Sequence, residues 1–254
     1  MKVIFLGTNG WYTSPTGNTT CVLIDSKTHY VVFDAGNGIY KLDNYINENK
    51  PIALFVSHFH IDHVSGFHTL NKFKFSQGID VYFAKGRMND FNTLVHRPYT
   101  IGVKNEPENV SNLNLEVRPH ELEDGNHDIG FPVEIRKLYH AYDDHGYKVE
   151  LEGKTVAYSG DTSVGPNSKL LAKNADMLIH ECAYIDPNAG GEWGHVDSTR
   201  AAKLAKEANV KQLVLNHFDA SLYTTLEKRK EAERKAREIF PNTIAAVDDL
   251  VIKL

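Results

Sequence analysis

Residues 52–63, Ile-Ala-Leu-Phe-Val-Ser-His-Phe-His-Ile-Asp-His, constrain what this chain can fold into more than any other stretch. The unbroken apolar run from Ile52 to Val56 reads as a strand covered on both faces, the habit of a parallel sheet between layers. His58, His60, Asp62 and His63 follow at once. His58 and His60 share parity, so an extended strand end aims both imidazoles one way. The chain must then turn, and Asp62 and His63 can face the same cavity from the other side. Imidazole with carboxylate suits zinc, and also manganese or iron. Four donors this tightly spaced can serve two adjacent divalent ions. A polar loop with incidental histidines would not explain why they sit at a strand end.

The chain has 254 residues, 41% of them hydrophobic, which is enough for one large α/β domain over 1–254 with a sizeable core. It opens directly on strand-like Lys2–Leu6, with no signal-peptide pattern, and holds no uncharged run of membrane-spanning length; the expectation is a soluble, cytoplasmic protein with no membrane role. Cys21 and Cys182 lie far apart in apolar runs and read as buried free thiols. A net charge of −5 argues against a general nucleic-acid binder.

Short strands are predicted at Val3–Leu6, Cys21–Asp25, Tyr30–Asp34 and Ile79–Phe83, with helical spacing over Gly38–Asn47 and around Phe67–Phe75. Residues 84–130 read as loops with a helix near Met88–Val95, forming a lid or one wall of the site. Further strands are expected at 133–139, 147–151, 154–158, 176–181 and 212–215. Asp197 or Ser198 can cap a helix whose Ala201, Leu204, Ala205 and Ala208 share a face. The run 225–239 reads as a charged, solvated helix with opposite charges four apart, as at Glu231 and Lys235.

Two ions need more donors, and these too must stand at strand ends. His140 follows the strand that ends at Tyr139, Asp161 follows Tyr158-Ser159-Gly160, and His217 follows Leu215-Asn216. A carboxylate such as Asp161 can offer one oxygen to each of two cations. Asp34, in Phe33-Asp34-Ala35-Gly36, also ends a strand, and is expected to accept an N–H from a ligand histidine or to fix the cluster loop. Asp143, Asp144 and His145 follow His140 closely enough to be weighed as groups that reach the substrate.

Asp34-Ala35-Gly36, the H-x-H-x-D-H cluster, His140, Ser159-Gly160-Asp161-Thr162 and His217 stand in the order of the metallo-β-lactamase superfamily motifs, and the chain resembles that superfamily over nearly its whole length. The resemblance implies an αββα four-layer sandwich, two mixed β-sheets flanked by helices, with two metal ions at one edge. It implies that His58, His60 and His140 hold the first ion, Asp62, His63 and His217 the second, and that Asp161 bridges. Phe5-Leu6-Gly7-Thr8, His180-Glu181-Cys182-Ala183 and Leu215-Asn216-His217-Phe218 further resemble the ribonuclease Z branch. That likeness implies a dyad in which Glu181 orients His195 and His195 protonates the leaving oxygen. It also implies a homodimer.

The chain departs from that branch in three places. No arginine follows Pro15-Thr16-Gly17-Asn18, and none follows His217-Phe218 before Tyr223. His140 and Asp161 are separated by a short stretch that reads as two strands and a turn, which leaves no room for the branch's arm that grips transfer RNA. Each loss weakens a grip on a phosphate backbone. The expectation is therefore a binuclear metal hydrolase for a small or cyclic phosphodiester, with zinc, or else manganese or iron, in the site. Asp62 would hold or deprotonate the attacking water, and transfer RNA would be a poor substrate. The alternatives weighed are a ribonuclease Z-type transfer-RNA 3′ endonuclease, a lactone or sulfate-ester hydrolase on the same metals, and a catalytically silent RNA-associated subunit.

Overall fold

The structure is a computed structural model that describes residues 1–100, 115–187, 189 and 193–254. Its strands are β1 (Lys2–Gly7), β2 (Asn9–Gly10), β3 (Cys21–Asp25), β4 (Tyr30–Phe33), β5 (Ile52–Phe55), β6 (Ile79–Ala84), β7 (Val117–Leu122) and β8 (Gly125–Asp128). The second half adds β9 (Pro132–Lys137), β10 (His145–Leu151), β11 (Lys154–Tyr158), β12 (Met177–Glu181), β13 (Gln212–Asn216), β14 (Phe218–Asp219), β15 (Thr243–Ala245) and β16 (Leu250–Lys253). The α-helices are α1 (Ile61–Val64), α2 (Met88–Val95), α3 (Pro166–Ala172), α4 (Ser198–Glu207) and α5 (Leu226–Arg237).

Period-two alternation divides each strand between two cores. Val3 and Phe5 of β1, Val22 and Ile24 of β3, and Val31 and Phe33 of β4 face one way, into a core shared with Val149, Val156, Tyr158, Ile179 and Val214. Their neighbours Ile4, Leu6, Leu23 and Val32 face the opposite way, against Ile39, Leu42, Phe67 and Phe91. Leu178, Leu213 and Leu215 likewise turn outward, onto Leu171, Ala201, Leu204 and Ala205. Strands covered on both sides must be apolar at every position, which is why no polar residue interrupts Ile52–Phe55. The result is helix, sheet, sheet, helix. The first sheet runs β16-β1-β3-β4-β5-β6-β7 and the second β15-β13-β12-β11-β10-β9-β8, with a two-stranded β14-β2 pair beside them. Each large sheet has a parallel half, β4-β5-β6-β7 and β11-β12-β13-β15, and an antiparallel half. The sheets meet ring on ring: Phe33 stacks on Tyr158 at 4.9 Å. Full burial of a side chain such as Phe33 contributes about 1.5–3 kcal/mol.

Several expectations are corrected. The helical spans expected around 38–47 and 67–75 are present, as 3-10 helices over Asn37–Asn44 and Ser65–Lys72. A Cβ on Gly66 would lie 2.5 Å from the Gly36 carbonyl oxygen, so glycine is what lets the two backbones meet here. Within 84–130 the helix Met88–Val95 stands at the expected bounds, but β7 and β8 occupy what read as loop. Both lie at sheet edges, where Pro119 is tolerated and one face needs no apolar residues, so no alternation marked them. Residues 101–114 of the expected lid lie outside the described residues. In α5 the face is not wholly solvated, because Arg229, Ala232 and Ala236 are buried. The two thiols are free and buried, and Asp197 caps α4 by accepting the Thr199 N–H at 2.8 Å. No helix among the described residues is long and apolar enough to cross a membrane.

Candidate metal centre

All the parallel strands that matter end at one edge of the sandwich. Asp34 follows β4, Ser57 and His58 follow β5, Asp161 follows β11, Glu181 ends β12, and His217 follows β13. His60 caps the short α1, which carries Asp62 and His63. Carbonyl ends of neighbouring strands thus deliver side chains from both sheets into one cavity.

The donors fall into two groups. His58, His60, His140 and Asp161 can each direct one atom to a common point, as can Asp62, His63 and His217. In the first group His58 Nε2 lies 2.8 Å from His60 Nδ1, and His140 Nε2 lies 3.5 Å from the same atom. In the second, His63 Nε2 lies 3.1 Å from His217 Nε2, which is 3.3 Å from Asp62 Oδ2. Asp161 reaches both groups: Oδ2 is 3.3 Å from His63 Nε2 and 3.9 Å from His58 Nε2, and Oδ1 is 3.3 Å from His217 Nε2.

Buttresses set which ring nitrogen faces inward. His63 Nδ1–H donates to Asp34 Oδ2 at 2.7 Å, and Asp34 is itself fixed by the Ser57 N–H at 2.7 Å and the Tyr158 hydroxyl at 2.5 Å. This is the role expected of Asp34. His58 Nδ1 lies 3.0 Å from Asp144 Oδ1, so Asp144 is fully buried behind a donor rather than near any substrate, as its place in sequence allowed. Asp143 pairs with Arg87 and Lys137 instead. The backbone pays locally for this convergence: Trp11, Asp34 and His217 all have positive φ, 64°, 58° and 51°. Gly10 leaves space for the His217 ring, whose Cε1 would be 2.4 Å from a Cβ there, and Gly160 at φ 59° turns beside Asp144.

The electrostatics suit divalent cations. Burial, with His63 nearby, pushes His58 well down, and burial, with His195 and His60 nearby, pushes His140 down to about 4, so both offer neutral nitrogen. Burial also disfavours a charged His63, but Asp161, Asp34 and Asp62 together outweigh it and raise that group. Burial of Asp62 and Asp161 is outweighed by the surrounding imidazoles, which hold both carboxyls far below the usual range. Asp161 Oδ1 is buried and accepts no hydrogen bond. Converging lone pairs and an orphaned carboxylate oxygen are what a pair of cations would satisfy.

His195 stands apart. Its Nδ1–H donates to Glu181 Oε1 at 2.8 Å, and Glu181 is held by the backbone N–H groups of Thr162, Ala183 and Val196. Burial opposes charge on His195, but Glu181 more than offsets it and pushes the imidazole up to about 9. His195 also comes near Asp161 and His217, and the three form a third group of converging donor atoms.

The cavity over these donors, about 280 Å³, is lined by Trp11, His60, Ile61, Asp62, His140, Asp161, Trp193, His195 and His217. Among the described residues of 84–130 none is in its lining, and residues 101–114 of the expected lid or wall lie outside the described residues. Trp11 and Trp193 escaped the sequence reading. Their one signal was rarity, since the chain has two tryptophans and each lies close to glycine.

Residues 29–218 match the beta-lactamase superfamily domain, and the chain belongs to that family of metal-dependent hydrolases, in its ribonuclease Z-like branch. Ribonuclease Z of Bacillus licheniformis is 28% identical over 300 positions, spanning 98% of this chain and 97% of the relative. That alignment is longer than this chain's 254 residues, so the relative carries segments that this chain lacks. A probable metallo-hydrolase of Bacillus subtilis, YhfI, is 25% identical over 86% of this chain and 87% of its own. The crystal structure of the short form of human tRNase Z superposes with a TM-score of 0.76 at 25% identity, covering 100% of this chain and 99% of that one.

Proposed function

We propose that this protein hydrolyses a small or cyclic phosphodiester with two divalent ions, which we assign as zinc, manganese and iron being the other ions these donors suit. His58, His60 and His140 would hold one ion, Asp62, His63 and His217 the other, with Asp161 between them. Bound there, such ions polarise the phosphoryl group and make water nucleophilic near neutral pH. The observation that carries the reading is the Glu181–His195 dyad, 2.8 Å apart, over a small cavity whose lining, among the described residues, includes no lysine or arginine.

His195 keeps its proton at neutral pH and donates it to the leaving oxygen. Glu181 is a positioning residue: it fixes the ring so that the other nitrogen serves the cavity. Asp62 accepts a hydrogen bond from the attacking water. Its strongly acidic carboxyl suits that orienting task better than taking the proton. A dyad of this kind is superfluous for a carboxylic or sulfate ester with a good leaving group.

A second reading, cleavage of precursor transfer RNA at its 3′ side, draws on the ribonuclease Z relatives that align over almost their full length. Against it, the interval from His140 to Asp161 holds only the β10–β11 hairpin, which turns between Leu151 and Lys154. Affinity for a polyanion rests on several phosphate contacts, and an arm to make them is missing there. The test compares a metal-loaded sample on a small diester and on a precursor transfer RNA at the same moderate salt. We expect turnover of the first and poor cleavage of the second. Efficient, position-specific cleavage of the precursor by this chain alone would replace our reading with the second.

A further inference from the structure

Both tryptophans of the chain line the mouth of the metal cavity, and both are open to solvent: Trp11 is 43% exposed and Trp193 64%. Ile61, 66% exposed, adds an aliphatic side chain to the same rim. Exposed apolar surface gathered at one place marks a contact site, whereas single scattered residues do not. The placement is also built. Trp11 holds a left-handed backbone, φ 64°, and its N–H donates to Asp62 Oδ2 at 2.7 Å. Its indole lies 5.0 Å from the His195 ring and 5.5 Å from the His217 ring. Trp193 is tied beside His140, for its carbonyl accepts the Ala141 N–H at 3.2 Å. Gly194 packs so closely on His140 that a Cβ would be 2.8 Å from the His140 Cα.

Charge at the mouth points the same way. Among the described residues no lysine or arginine lines the cavity, so apart from His195 a second or third phosphate would meet no cationic side chain there. What the rim offers beyond the phosphate position is flat aromatic surface. Indoles stack on rings of matching size, and such stacking tolerates any base because every base has a π-face.

We infer that Trp11 and Trp193 form a ring-stacking mouth that selects phosphodiesters in which one ester group carries a nucleobase. The inference rests on the phosphodiesterase reading above and narrows it to substrates of nucleotide size. Trp11, beside the proton donor His195, would support the base on the leaving side.

Because the chain has no other tryptophan, its tryptophan emission, excited at wavelengths that tyrosine does not absorb, reports on this mouth alone. The probes are adenosine monophosphate and ribose 5-phosphate, which share phosphate and sugar and differ by the base. Each is titrated into the metal-loaded protein by fluorescence, and by calorimetry for every variant. Adenosine monophosphate should quench the emission and bind about 5- to 150-fold more tightly than ribose 5-phosphate, the range expected for a stacked base. Trp11→Ala and Trp193→Ala should each cut that ratio several-fold. Trp11→Phe and Trp193→Phe should keep part of it, and Trp11→Leu, with apolar volume but no ring, should not. Equal binding of the two probes, or a ratio unchanged in every variant, overturns the inference. Emission that shifts with protein concentration and ignores adenosine monophosphate also overturns it, since the rings would then meet a second copy. The two readings fail separately. A lost ratio with intact hydrolysis of a small diester refutes only the stacking mouth, and an intact ratio without diester hydrolysis supports the mouth and refutes the diesterase.

Discussion

The floor and the mouth of the cavity are built on opposite physical principles. On the floor, His58, His63 and Asp161 are buried, and both histidines are backed by a carboxylate, Asp144 or Asp34, that is itself inaccessible. At the mouth, Trp11, Ile61 and Trp193 are exposed, and Trp11 reaches a donor through its backbone N–H. The floor confines like-charged carboxylates and crowded nitrogens that repel one another unless cations lie between them. The mouth stores no such tension. We therefore assign the hydrolytic chemistry to the floor and the choice of substrate to the mouth.

If that division is right, Asp161→Ala should have the largest effect. One residue serves both donor groups, so metal content should fall below one ion per chain and activity by more than about 10³-fold, the scale of losing several kcal/mol of charge stabilisation. Elemental analysis beside the rate measurement checks this; a variant that keeps two ions would dissolve the bridging assignment.

Next comes His195→Ala, with a loss of about 10²–10⁴-fold on a diester with a poor alkoxide leaving group and a clearly smaller loss on a nitrophenyl ester. Equal losses on the two substrates would make His195 structural. The acid form must be present for donation, so the rate on the alkoxide ester falls as pH rises through the pKa of His195. That limb should lie at or below about 9, because cations bound nearby disfavour the imidazolium. It should vanish in His195→Ala.

A smaller effect is expected behind the donors. Asp34→Asn and Asp144→Asn keep every ligand and disturb only its support, so metal affinity should weaken about 10–100-fold with the fold intact, as competition with a chelator would read. A loss from Asp144→Asn much smaller than from Asp34→Asn would mean that the two donor groups are unequally braced.

The smallest effect on metal content belongs to the mouth. Trp193→Ala should retain two ions per chain while raising KM for a nucleotide diester. Loss of an ion in this variant would erase the boundary between floor and mouth.

Much of the floor was legible because its signals are local. Spacing in Ser57–His63 and the strand that precedes it define two donors by parity and two by a turn, and Gly160 and Asn216 flag strand ends at Asp161 and His217. Alternation sufficed for the buried strands, since a strand covered on both faces leaves no position for a polar residue. Edge strands β7 and β8 carry no such requirement and were unreadable. The 3-10 helices have apolar spacing that α-helices also show, so spacing alone does not distinguish the two.

What the residues alone determined is the chemistry: a chain with these imidazoles and carboxylates at these strand ends is committed to holding cations. Tertiary structure decided who supports and surrounds them. Asp144 stands four residues from His140, yet it serves His58, on another sheet. Trp11 directly follows a two-residue strand far from the cluster in sequence, yet its backbone holds Asp62. Contacts between distant segments depend on how two sheets pack face to face, and that arrangement leaves no periodic trace in either segment.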